Sequence, residues 1–437
     1  MPGATTYQCP NCNGVMTYNA ATGLVTCEFC GSEFEAGQRE AAIPVAAAPA
    51  EAGATDHVTT VEEFLEHAPW ENSANARAYS CPSCGAEVVA DQSTVSTACP
   101  YCGNNMLVAG IAGAGNMPRY ALPFTVTREQ AEARMREHFQ HKWYLSRAFD
   151  ASLQHMQGVY VPYHLYDIRV WGRADYIGYW ESPSDDDGNS VKKYYGIKRA
   201  GYAAFESIPI DGSSKMPDAH MDAIAPFDFA KLRDFDAGYL AGYLAEVADE
   251  DAETCLPRAE AQARTSFAGD LESDARRERG VDGIDETVAS EVNAKVEVVR
   301  PCVLPVWLAH CTWNGNQMLF AVNGDTGKCV GDLPIDGKRR AATIAVTAIV
   351  LAAIALAFLV FVMEGEDAGS FLVGAAIFIA LATMLVDGHF RGQMKTAVET
   401  EDAHMSYNGE GLVVTERWRS KKGYLNRAKA LDSLNNN

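Results

Sequence analysis

The chain has 437 residues, 48% of them apolar, enough for two or three domains with real cores and too apolar for a disordered chain. Its formal net charge of -21 is uneven: residues 33–75 hold nine acids against Arg39, and residues 211–292 hold twenty acids against eight bases. Those stretches repel phosphate backbones and anionic lipid, and so exclude a polyanion-binding role for themselves. Eight of the twelve cysteines form four Cys-x-x-Cys pairs, and MPGATTYQCP lacks the charged-then-apolar pattern of a signal peptide. Thiolate metal ligation in a reducing compartment is therefore expected rather than disulfides.

The first expected element is a zinc ribbon over residues 1–35 with ligands Cys9, Cys12, Cys27 and Cys30. A flexible acidic linker rich in Ala and Pro follows over 36–76, with a short helix around Val58 to His67. A second ribbon over 77–110 has ligands Cys81, Cys84, Cys99 and Cys102. Both ribbons read Cys-x2-Cys-x14-Cys-x2-Cys, and Gly14, Gly31, Gly85 and Gly103 follow the knuckles where tight turns are required. Four thiolates fill a tetrahedron and leave no open position for water, so two structural zinc ions are expected, not catalytic ones. Residues 1–32 contain no Lys or Arg and residues 77–108 only Arg77. Nucleic-acid binding by the ribbons is disfavoured, because phosphate neutralisation supplies non-specific affinity.

A β-rich α+β cytoplasmic domain is expected over 120–335. Thr127 is the N-cap of one or two amphipathic helices carrying Ala131, Met135, Phe139 and Trp143 at helical spacing. The aromatic and β-branched stretch VYVPYHLYDIRVWGRADYIGYW reads as strands to about Pro209, interrupted by the turn SPSDDDGNS. Residues 215–292 read as a helical insert with an acidic, solvated face, and strand character returns at about Val296 and runs to Leu333. Laying Pro162 on Pro305 brings Val161 onto Leu304, Leu165 onto Leu308 and Gly172 onto Gly315. The domain then consists of two related halves with the helices inserted between them.

Residues 342–363 and 368–386 hold no charge, and each is long enough to span roughly 30 Å of hydrocarbon as a helix. Only Glu364 to Asp367 separate them, so a transmembrane hairpin over 342–386 is expected. Lys338, Arg339, Arg340, Arg391 and Lys395 flank it and the connecting EGED is acidic. The positive-inside rule puts both termini in the cytoplasm of a multi-pass protein of the cell (inner) membrane. The tail over 388–437 carries Arg417, Arg419, Lys421, Lys422, Arg427 and Lys429 with Trp418 and Tyr424, fit either to lie on anionic lipid or to remain a solvated tail.

The segments CPNCNG, CPSCGAE, CPYCG, GVYVPYHLYD and LPVWLAHCTWNGNQMLFAVNGDTGKCVGDLP together resemble a set of uncharacterised bacterial membrane proteins of Gram-positive lineages. These place transcription factor IIB-type zinc ribbons before a cytoplasmic domain and transmembrane helices. The resemblance implies zinc ligation by the eight cysteines. Some relatives are labelled after the replication-restart primosomal helicase, which implies ATP-driven DNA unwinding. Here NGDTGKC sets Gly324 and Gly327 too close for a P-loop and offers Cys329 in place of the hydroxyl, so Asn323-Gly324 reads as a hairpin turn. His310, Cys311, Cys302 and Cys329 suit a third metal site less well than a β-core, because adjacent strand residues face opposite ways. His138 and His141 read as a solvated helix face. No nucleophile elbow or dinucleotide fingerprint occurs. The expected role is a non-enzymatic binding or scaffold module on the lipid bilayer with a protein partner; the alternative is a membrane-tethered binder of nucleic acid or of transcription or replication machinery.

Overall fold

Thr127 and Gln130 stand three apart ahead of an apolar-periodic run, and they close a capping box: the Thr127 hydroxyl accepts from the Gln130 amide, and the Gln130 side chain accepts from the Thr127 amide at 2.9 Å. Helix α1 (Arg128–Phe139) follows and buries Ala131 and Met135. It stops at Gln140, and His141 takes a left-handed φ of 59°. Trp143, expected on this helix, therefore lies beyond its end. The computed structural model describes residues 4–5, 9–12, 16–36, 77–80, 87–90, 94–98, 105–108, 118–147, 149, 154–182, 190–214, 216–246, 248–314, 316–362, 368–398 and 411–435. The linker over 36–76 and its short helix lie outside these apart from Ala36.

The β-branched and aromatic stretches form long strands: β1 (Gln154–Glu181), β2 (Lys192–Asp211), β3 (Gly283–Trp313) and β4 (Asn316–Asn323). Strand β1 runs antiparallel between β2 and β3, and β4 returns along β3. A fifth strand, β5 (Val413–Arg419), pairs with the outer edge of β2. With seven short strands these make a 12-stranded sheet in a mixed α/β fold that has six α-helices among the described residues.

Residues 215–292 are only partly helical. They hold α2 (Asp218–Ala223), α3 (Ala252–Arg276), two 3-10 turns and the short strands Arg233–Asp234 and Leu244–Glu246. Strand β3 already begins at Gly283, because Val292, Ala294 and Val296 alternate with polar residues and pair along β1. Helix α3 lays Ala259, Ala263, Phe267 and Leu271 on one face of β1–β3, against Val170, Tyr176, Ile197 and Val299.

The internal repeat appears as a local two-fold. Val161 of β1 pairs with Leu304 of β3, so the repeat-related residues face each other across one antiparallel ladder. The Gly212 amide donates to the Pro162 carbonyl, and the Gly324 amide to the Pro305 carbonyl, both at 2.9 Å. The Gly212 carbonyl then accepts from Asp249 and Glu250, and the Gly324 carbonyl from Thr125 and Val126. His164 Nε2 lies 3.0 Å from the Glu250 carbonyl, and Trp307 Nε1 donates to the Val126 carbonyl at 2.9 Å. Immediately afterwards Asp251 and Thr127 cap their helices. Short parallel strands complete the match: Leu244–Glu246 flanks Val159 and Tyr160, and Tyr120–Ala121 flanks Cys302 and Val303. Each half is thus a short strand, a capped helix, a long strand and a return strand. Helix α3 is the counterpart of α1 rather than an insert.

Helices α4 (Gly337–Val362) and α5 (Ala368–Gly392) are long and apolar enough to cross a membrane. No protein covers most of their described apolar side chains; Ile349 is 67% exposed and Leu385 75%. Their base is clasped to the domain. Arg340 grips Asp387 with two bonds of 2.8 Å, Tyr144 donates to the same carboxylate at 3.1 Å, and Trp143 Nε1 donates to Thr343 at 2.9 Å. Beyond α5, the Leu333 amide donates to the Met394 carbonyl, and Met394 is fully buried.

In the basic tail, Val413–Arg419 forms β5 of the sheet rather than an unstructured segment. Arg417 binds Asp274 through Nε at 3.0 Å and Nη2 at 2.7 Å, beside the buried Arg199, which also holds Asp274 and Glu278. Helix α6 (Arg427–Asn435) buries Ala430 and Leu434 against Ile177, and Arg427 pairs with Glu286.

Candidate metal centre

Cys9, Cys12, Cys27 and Cys30 converge, with their four sulfurs within 4.8 Å of one another. Cys9 and Cys30 lie 3.5 Å apart, as do Cys12 and Cys27. A tetrahedral Zn–S bond of about 2.3 Å implies sulfurs about 3.8 Å apart, inside this range, so the donor set fits one metal ion. The hairpin Met16–Asn19 with Leu24–Cys27 brings the two knuckles together, Met16 pairing with Cys27. At the second knuckle the Gly31 amide donates to the Cys27 carbonyl at 3.0 Å, and Gly31 takes φ 69°, a turn that favours glycine. Ser32 donates hydrogen bonds toward Cys30, its hydroxyl 3.1 Å from the sulfur, and this pulls the thiol down to about 6, toward the thiolate that a metal requires.

The cluster is half buried. Cys9 and Cys27 are inside, while Cys12 and Cys30 are exposed, and Phe29 at the second knuckle is 77% exposed. The ribbon is docked on the domain: the Tyr18 amide donates to the Ala241 carbonyl at 2.8 Å, and the Tyr18 ring meets Tyr239 and Tyr243 edge-on and tilted. Gly242, at φ 90°, lets that backbone approach Thr17, since a β-carbon would stand 3.2 Å from its methyl.

Cys81, Cys84, Cys99 and Cys102 lie outside the described residues. Over residues 77–110, where a second ribbon was expected, the structure describes four strands, Arg77–Ser80 paired with Glu87–Ala90, and Thr94–Ala98 paired with Asn105–Val108. Asn105–Val108 also takes Ala4–Thr5, and Thr94–Ala98 pairs with Leu244–Glu246, so this segment and the first hairpin both attach at residues 241–246. Spacing alone foresaw that Cys9, Cys12, Cys27 and Cys30 form one group; it did not foresee Ser32, Phe29 or the docking segment. The Ser directly after a knuckle glycine was the available signal for the first of these.

The remaining candidates separate. Cys302 and Cys311 are buried in different clusters, and among the described residues only the first ribbon's cysteines form a metal-like group. Burial pushes the thiols of Cys302 and Cys329 up, Cys329 to about 12. His138 is not on a solvated face: its Nε2 lies 3.2 Å from the Gly331 carbonyl, and burial lowers its pKa. NGDTGKC is a turn, though Gly327 rather than Gly324 carries the positive φ, and the Asn323 side chain accepts from the Asp325 and Thr326 amides.

No family model matches the chain, and no solved structure matches it. Uncharacterized protein YdjG of Bacillus subtilis (strain 168) is 26% identical over 340 residues, which cover 77% of this chain and 92% of that protein.

Proposed function

We propose that this is a membrane-anchored zinc-ribbon protein whose ribbons present a protein-binding surface on the cytoplasmic face. The carrying observation is the posture of the first ribbon. Cys9, Cys27 and Tyr18 belong to one buried cluster that runs through Tyr243 and Trp307 to Tyr144 and Met394 at the base of the apolar hairpin, while Phe29 projects into solvent. An exposed aromatic, on a docked module without Lys or Arg over residues 1–32, suits a protein contact better than a phosphate backbone.

Zinc is the metal that four closed thiolates select, with one ion in each ribbon. The flanking Lys338, Arg339, Arg340 and Arg391 support a cytoplasmic base for the hairpin. Cross-linked capture from detergent-solubilised cells should enrich a protein partner with the full chain, and Phe29→Ala should lose it. A salt-dependent shift of DNA or RNA by the full chain would replace this reading with the nucleic-acid one. Metal analysis should return two zinc ions per chain; one or none would overturn the pair of ribbons.

A further inference from the structure

The two halves offer an internal comparison at their helices. Arg134 of α1 and Arg258 of α3 each stand seven residues past their N-caps, Thr127 and Asp251, and so occupy matching positions. Their surroundings differ. Arg258 is surrounded by carboxylates: Nη2 meets Asp222 at 3.0 Å and Asp211 at 3.3 Å, and Nη1 meets Asp218 at 3.1 Å. Asp218 and Asp222 come from α2, in the long connection that follows Gly212. The other return strand, Asn316–Asn323, is followed by no such connection. After Gly324 the chain turns through Asp325 to Lys328 and re-enters the sheet at Cys329.

Arg134 is consequently left beside an open cleft of about 490 Å³, lined by His138, Pro226, Thr326, Gly327, Lys328 and Cys329 as well as by Glu137. Its ion pair among the described residues is with Glu137 at 3.2 Å, on the same helix and 68% exposed. Lys328 donates to the Ala225 carbonyl at 2.6 Å and has no carboxylate partner among the described residues. Burial lowers its pKa, the response of an ammonium that lacks a counter-charge. The volume falls within the range of small-molecule sites.

We propose that this cleft binds a small organic carboxylate, which stands against Arg134 as Asp211 and Asp222 stand against Arg258. The planar guanidinium fork fits a carboxylate in two bonds, and Pro226 and Cys329 offer apolar surface to the rest of the ligand. This site is independent of whether the ribbons hold a protein partner.

The test is calorimetric titration and thermal unfolding of the full chain in detergent, with acetate, succinate and benzoate as probes and phosphate and chloride as controls at matched ionic strength. At least one carboxylate should bind saturably and raise the melting temperature. Arg134→Gln should weaken it at least tenfold while leaving the ligand-free melting temperature in place, since Arg134 is largely exposed. Thr326→Asp, which supplies the missing carboxylate from the turn itself, should abolish binding and raise the ligand-free melting temperature. The proposal is overturned if none of the three probes binds, if Arg134→Gln leaves binding unchanged, or if phosphate binds as tightly as the carboxylates.

Discussion

Asp211 and Asn323 end the return strands of the two halves, and the chemistry of the two side chains is not equivalent. Asn323 is fully used: its Nδ2 donates to the Ile224 and Pro226 carbonyls at 3.0 Å, and its Oδ1 accepts from two amides. Asp211 is fully buried, shares Arg258 through Oδ1, and keeps Oδ2 without a hydrogen bond among the described residues. Burial raises its pKa to about 7, against the opposing pull of Arg258. The unfolded value is about 3.9, so between the two the folded state binds more protons, and stability falls as pH rises through that window. Asp211→Asn should therefore raise the melting temperature at pH 8, by a free energy on the order of 1–3 kcal/mol for an unsatisfied buried polar group, and change it little at pH 5. Equal destabilisation at both pH values in thermal melts would refute this. None of it was legible in the sequence, where Asp211 was one acid among twenty, because its burial depends on a helix that begins some forty residues later.

The elements that were legible are those whose signal is local. The cap at Thr127, the two uncharged runs and the knuckle spacing each carry their own physics, and the structure places α1, the two apolar helices and the first four-cysteine group where they point. The early part of β3 was misread because acids such as Glu286 and Glu291 outweighed a period-two pattern that only pairing with β1 makes decisive. The strand in the tail was missed for the same reason: Arg417 looks solvated until Asp274 is brought beside it from α3. Strand β5 also needs a glycine on its neighbour, since a β-carbon at Gly201 would stand 2.5 Å from the Val413 carbonyl. Gly201→Val should force β5 away, and amide exchange at residues 413–419 should rise at least tenfold while the core of α3 stays protected. Unchanged protection of β5 would show that the tail is held by its side chains rather than by the ladder.

At the scale of the molecule, the described buried residues form several clusters, and two of them differ in how they depend on the N-terminal cysteines. The cluster under α3, built on Val170, Phe205, Phe267 and Leu271, involves none of the described residues of 1–35. Another cluster contains Cys9 and Cys27, the tyrosines of the docking segment, Trp307, and Met394 beyond α5, so the candidate metal site and the hairpin base share one packed interior. Structural zinc contributes about 10–16 kcal/mol to the folding of isolated zinc-finger peptides, far more than the docking contacts of one hairpin can replace. Chelation, or Cys27→Ser, should release the first ribbon and then loosen residues 239–246, where Tyr18 loses its partners. Hydrogen exchange should therefore accelerate at 16–27 and 239–246 well before it does in the distal parts of β1 and β2, whose core is the separate one. Uniform acceleration across both cores would mean that the ribbon is built into the whole sheet. No acceleration at 239–246 would mean that the docking survives without metal, and the ribbon's fixed posture, on which the proposed partner surface depends, would have to come from the protein chain alone.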